Sequence, residues 1–190
     1  MRVVINPGHG WLDPGAVGPT GLREQDVVRQ VAIAVCACSG DGLEYEPKRQ
    51  GKLGLFTLTR ALRKNAPAVV VSLHCDAGTD HLHQSRITWW EGDPDGVRRQ
   101  ASARLANAIA RTSGAYCESA KVVAAPYARS DKGKPFTPGI LVNTATRATV
   151  LVELGFISDP HTEAAMRTGA WVNRAAAALD ASLREWVSES

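Results

Sequence analysis

Three short runs constrain this 190-residue chain more than anything else in it: "RVVIN" (2–6), "AVVVSLH" (68–74) and "TVLVELG" (149–155). Each is apolar and rich in β-branched residues, without the polar alternation of a half-exposed strand, and so reads as a strand buried on both faces. Burial on both faces requires helices on either side, and the intervening segments supply them. Residues 24–38 ("EQDVVRQVAIAVCAC"), 55–65 ("LFTLTRALRKN") and 97–112 carry helical periodicity. "LEYE" (43–46), "SRITWWE" (85–91) and "AKVVAA" (120–125) read as further strands, and "ILVNTATR" (140–147) as a short helix. Asp159-Pro160 reads as an N-cap with proline at the first helical position. The helix it opens is expected to run to Trp186, with Trp171, Ala175, Ala178, Leu179, Ser182 and Trp186 along one stripe. The expected architecture is a single α/β domain over residues 1–190, a twisted, mainly parallel sheet of about six strands flanked by helices on both faces.

Charge and composition remove several function classes. A net charge of +3, from 22 Lys+Arg against 19 Asp+Glu, is not the footprint of a nucleic-acid binder. No apolar stretch approaches the ~18 residues of a membrane span, so no membrane insertion is expected. No basic and apolar leader precedes the first strand, and synthesis in the cytoplasm without a signal peptide is the expectation. Cys36, Cys38, Cys75 and Cys117 form no CxxC pair and are read as reduced thiols.

In open α/β sheets, ligands bind beyond the carboxyl ends of the strands. Two expected strands run into histidine there, "RVVINPGH" at His9 and "VVVSLH" at His74, and a third carries Glu153 near its end. Glu24 opens the first helix after a Gly/Pro-rich loop. Two imidazoles and two carboxylates are therefore expected to converge on one sheet edge, a donor set suited to zinc with a position left for water. Each residue also has a plainer reading. His9 suits a turn, Glu24 favours a helix start, and His74 could be a hydrogen-bonded core histidine. Glu153 is the hardest to set aside, because a carboxylate inside "VLVELGF" is costly to bury without a partner. The nearest basic residue in sequence, Arg147, lies at the other end of the strand.

Competing motifs fail. "GHGWLD" breaks GxGxxG at its last position, and GxxxxGK[ST] is absent. Cys75 adjoins His74, but neighbours on a strand point to opposite faces and cannot act as a pair. "HLH" (81–83) offers two imidazoles that could hold a metal, but in a polar loop such a pair more often does nothing.

"VVINPGHGWLDPGAVGPTGLREQDV", "LTRALRKNAPAVVVSLHCDAG" and "VLVELGFISDPHTEAAM" resemble, in order, the three signature blocks of the zinc-dependent N-acetylmuramoyl-L-alanine amidases of the Amidase_3 type. The resemblance spans residues 3–166 and implies Zn2+ held by His9, Glu24 and His74, with Glu153 as the catalytic carboxylate. It implies hydrolysis of the amide between N-acetylmuramic acid and L-alanine in peptidoglycan; the chain is expected to be a monomer. Made without a leader and acting on the wall after release, the chain is expected to serve as a phage endolysin. A non-catalytic peptidoglycan-binding module is the alternative, and would be expected to have lost Glu153 or a ligand. Departures from the family pattern are Asn6 for an aspartate, Trp11 for a glycine, "HCDA" for His-Ala-Asn-Ala, and Asp159 for an asparagine. Asn6 is expected to remove an acid from behind the metal ligands.

Overall fold

The three apolar runs become neighbours in one sheet. In this computed structural model, which describes residues 1–10, 12–47, 58, 60, 62, 67–78, 83–128, 135–136, 138–142 and 146–189, the strands of the main sheet are β1 (Arg2–Pro7), β2 (Glu44–Pro47), β3 (Val69–Asp76), β4 (Gln84–Trp90), β5 (Ser119–Ala125) and β8 (Ala148–Phe156). Their order is β2-β1-β3-β8-β4-β5. All neighbours pair in parallel except β4 with β8, which are antiparallel. A separate two-stranded ribbon joins β6 (Tyr127–Ala128) to β7 (Pro135–Phe136).

β1, β3 and β8 occupy adjacent interior positions, which explains their composition. Val3, Val4, Ile5, Val69, Val70, Val71, Val150 and Val152 are all fully buried, each such side chain contributing roughly 1.5–3 kcal/mol relative to exposure. One sheet face packs against α1 (Glu24–Ala37), α2 (Gly96–Thr112) and α5 (Gly169–Ser188) in the larger core. The other face packs against Leu58, Leu62 and the short α3 (Gly139–Val142). Most of the helix expected over 55–65 lies outside the described residues. Within it, Leu58, Arg60 and Leu62 are helical, and the two leucines, four apart, are buried together.

The expectation of a single helix from Pro160 to Trp186 is corrected: there are two, α4 (Pro160–Met166) and α5. Thr168 adopts an extended conformation between them, and its hydroxyl accepts from the Trp171 backbone N–H at 3.2 Å. This second N-cap restarts the helix in a new direction. The stripe read along α5 is nonetheless the buried one. Trp171 and Trp186 are anchored within it, their indole N–H groups donating to Tyr116 O at 2.8 Å and Ala101 O at 3.0 Å. None of the four cysteines is in a disulfide, and no helix among the described residues is long and apolar enough to cross a membrane.

Candidate active site

The parallel strands β1, β3 and β8 end at the same sheet edge, and the expected site residues collect there. β3 and β8 are in register with His74 opposite Glu153, after which a bulge shifts the pairing before Asp76. Such irregularities re-aim side chains where a sheet meets a site. β1 leads through Pro7 and Gly8 to His9, whose φ of 59° places it in the left-handed region, a strained conformation for a residue with a side chain. The turn delivers the imidazole to the strand ends. The His9 and His74 rings lie edge to face with centroids 5.0 Å apart.

Glu24 sits between them. Its Oε1 is 3.1 Å from His9 Nε2, 3.0 Å from His74 Nδ1, and accepts the Cys75 backbone N–H at 2.9 Å. Oε2 accepts the Ala16 N–H at 2.8 Å. The loop fixes this carboxylate from the other side as well, because the backbone N–H groups of Glu24 and Gln25 donate to Ala16 O and Pro14 O. These bonds occupy donors that a helix start leaves without partners. Burial opposes ionisation of Glu24, but the hydrogen bonds from His74, His9, Ala16 and Cys75 outweigh it and hold its pKa down at about 2. Hydrogen bonding to Glu24 raises the His9 pKa to about 9 against the opposing effect of burial, with Asp13 adding to the rise.

Two glycines make room for this packing. A Cβ on Gly8 would lie 2.3–2.6 Å from the His74 ring, and one on Gly15, at φ 69°, would lie 2.5 Å from Glu24 Oε2. The glycine-rich opening therefore encodes space as well as turns.

The donors of His9, Glu24 and His74 all lie within 4.8 Å of one another. Ligand atoms around a tetrahedral zinc at ~2.0–2.1 Å are about 3.3 Å apart, and the contacts to Glu24 Oε1 come close to that spacing. Two imidazoles and a carboxylate match the metal's preferences.

Glu153 lies beside this set without joining it. Its side chain is 14% exposed and its Oε2 is buried, without a hydrogen-bond partner among the described residues. Burial first, then the charges of Asp76 and Glu24, push its pKa up to about 8, against the pull of Arg86 and His9. A cation reaches Glu153 from another strand rather than from Arg147, the nearest basic residue in sequence. The antiparallel β4 brings Arg86 opposite it, with Nη2 3.9 Å from Glu153 Oε1. The same nitrogen is 2.5 Å from Asp76 Oδ2, so Asp76 is the closer partner and Glu153 keeps an open oxygen.

Other residues contribute that sequence reading passed over. Asp13 Oδ2 accepts from His9 Nδ1 at 2.8 Å, turning Nε2 toward Glu24 as partners behind metal ligands do. Asn6 stays away from the histidines: it is buried, and its Oδ1 accepts the Ser72 hydroxyl at 2.9 Å. Glu163 on α4 is buried and accepts the backbone N–H groups of Thr20 at 2.9 Å and Leu22 at 3.0 Å, pinning the loop that leads into Glu24. A carboxylate four residues after His9 and a second acid in the third signature block were the available signals. Cys75 belongs to the larger core on the opposite side of β3, and burial raises its thiol pKa well above the ordinary range.

The family model described as N-acetylmuramoyl-L-alanine amidase, Amidase_3, matches residues 3–185. N-acetylmuramoyl-L-alanine amidase AmiA of Escherichia coli (strain K12) is 31% identical over 81 residues, which cover 41% of this chain and 28% of that protein. The catalytic domain of CwlV, an N-acetylmuramoyl-L-alanine amidase from Bacillus (Paenibacillus) polymyxa var. colistinus, shares the fold with a TM-score of 0.78 at 21% identity, over 100% of this chain and 99% of that one. The catalytic domain of the CD27L endolysin targeting Clostridia difficile shares it with a TM-score of 0.71 at 14% identity, over 97% of both chains.

Proposed function

Since the chain belongs to the Amidase_3 family of N-acetylmuramoyl-L-alanine amidases, we propose that it is a zinc-dependent hydrolase. Its substrate is the amide between N-acetylmuramic acid and L-alanine in bacterial peptidoglycan, and it works as a monomeric lytic enzyme of the phage endolysin kind. The observation that carries the reading is the meeting of His9 Nε2 and His74 Nδ1 at one Glu24 oxygen, with Glu153 in register beside His74. The lytic role is supported by the fold shared with an endolysin catalytic domain.

His9, Glu24 and His74 would hold the ion, and zinc there would supply Lewis acidity toward the scissile carbonyl and toward water. Asp13 keeps the His9 Nδ1 proton and so leaves Nε2 as the donor to the site. Glu153 acts as the general base, taking a proton from the attacking water on its open oxygen and passing it to the departing alanine amine. Arg86, held by Asp76, limits the charge penalty at Glu153 without capturing that oxygen.

The test is Glu153→Gln, which preserves size and removes basicity. We expect full zinc content and a fall in muropeptide hydrolysis of roughly 10²–10⁴-fold, the range for losing a general acid–base. Hydrolysis is read by mass spectrometry of released stem peptides. Parent-rate cleavage, or loss of zinc, removes Glu153 from this role. Clearing of cell-wall suspensions by added protein checks the lytic role.

A further inference from the structure

A second set of metal-type donors shares no residue with the site. His83, immediately before β4, and Asp159 and His161, at the start of α4, place one ligand atom each within a common 4.8 Å. His83 Nδ1 is 3.3 Å from Asp159 Oδ2 and 3.2 Å from Thr162 Oγ1. The His83 and His161 rings meet edge to face at 5.1 Å and 85°, close to the 5.0 Å and 79° of His9 and His74. His83 is also left-handed, at φ 61°. Its carbonyl accepts from the N–H groups of Glu118 and Ser119, so the strained backbone is held by the sheet. Asp159 is buried and caps α4, its Oδ2 accepting from Thr162 N at 2.8 Å. A carboxylate offers about four lone-pair sites, so capping leaves capacity for another partner. Both histidines line a pocket of about 250 Å³ that also reaches Cys117, Thr162 and Arg174.

We propose that His83, Asp159 and His161 form a second binding site for a zinc-class divalent cation, distinct from the site of hydrolysis. The donor set is two imidazoles and one carboxylate, and exposed His161 leaves the position open to water as a further ligand. A cation there ties the loop before β4 to α4. Glu163, further along α4, grips the loop entering Glu24 through its own contacts, so the cation serves the junction of β4 with α4 rather than the first site.

The experiment is zinc titration of the chelator-treated 190-residue chain, with bound metal counted by elemental analysis after gel filtration. The parent is expected to retain two equivalents. His83→Asn combined with His161→Ala is expected to retain one, and asparagine suits the left-handed position. His161→Ala alone, at an exposed position, gives the same readout if the double variant folds poorly, with far-UV circular dichroism as the check. Both variants are expected to keep the parent's hydrolysis in zinc. His9→Ala is expected to retain one equivalent also, held by the second cluster. A parent that retains one equivalent, unchanged by His161→Ala, overturns the proposal, as do two equivalents in the double variant. If His9→Ala instead leaves the count unchanged while the double variant lowers it, the second site stands and the assignment of the first fails.

Discussion

The two histidine–carboxylate clusters look alike in donors and differ in how their carboxylates are held. Glu24 is 3% exposed and receives two backbone N–H groups from separate segments in addition to the two imidazoles. It is committed to the site. Asp159, also buried, is committed first to its helix, and His83 contacts an oxygen already used for capping. The first cluster joins a loop, a helix start and a strand end around a central acid. The second is an addition to a secondary-structure cap. The same donor types, imidazole and carboxylate, therefore differ in what their removal costs.

The sharpest way to break this contrast is to neutralise each acid. Glu24→Gln is expected to reduce first-site zinc to background and hydrolysis with it, beyond the ~10²–10⁴-fold attached to a base alone. Asp159→Ala is expected to cost about 1 kcal/mol through the lost cap, seen as a lower denaturation midpoint, with hydrolysis near the parent rate. Equal collapse of hydrolysis in both would erase the distinction.

Asp13→Ala probes the support behind His9. Loss of such a partner weakens metal affinity by ~10–100-fold, and competition with a graded chelator measures it. An unchanged affinity would show that the turn alone orients the ring.

A smaller effect is expected with pH in the metal-free protein. His9 is raised from 6.5 to about 9, so the stability it contributes is fully present below pH 6.5 and is lost as pH rises through 9. Glu153 is raised from 4.5 to about 8. The folded state therefore retains a proton that the unfolded chain has lost, and stability again falls as pH rises between those values. The thermal midpoint of chelator-treated protein is expected to decline from pH 5 to 9, less steeply in Glu153→Gln. Zinc binds neutral imidazoles, so the stabilisation it adds is expected to grow over the same interval. A flat profile without metal would contradict the hydrogen bonding to Glu24 assigned to His9 and the burial assigned to Glu153.

The smallest effect is reserved for Cys75→Ala. Cys75 supports Glu24 through its backbone N–H, which the substitution keeps. Zinc content and turnover near the parent's are expected. Loss of zinc in a folded variant would bring the thiol into the site.

Much of this was determined locally. β-branched runs such as "AVVVSLH" can satisfy their composition only as interior strands, and the Asp159-Pro160 cap is a nearest-neighbour signal, so both were legible in the chain. His9, Glu24, His74 and Glu153 were legible because strand ends and helix starts are where an open sheet presents its chemistry, and because their flanking blocks resemble a known family. What required the tertiary structure was partnership across distance. Arg86 meets Glu153 only because β4 runs antiparallel to β8, a choice that no feature within "SRITWWE" dictates. The grip of Glu163 on Thr20 and Leu22 spans more than 140 positions. The "HLH" segment shows the same limit. Its His83 gains partners only when α4 is folded against it, because electrostatic and hydrogen-bonding energies depend on separation in space, which distance along the chain does not encode.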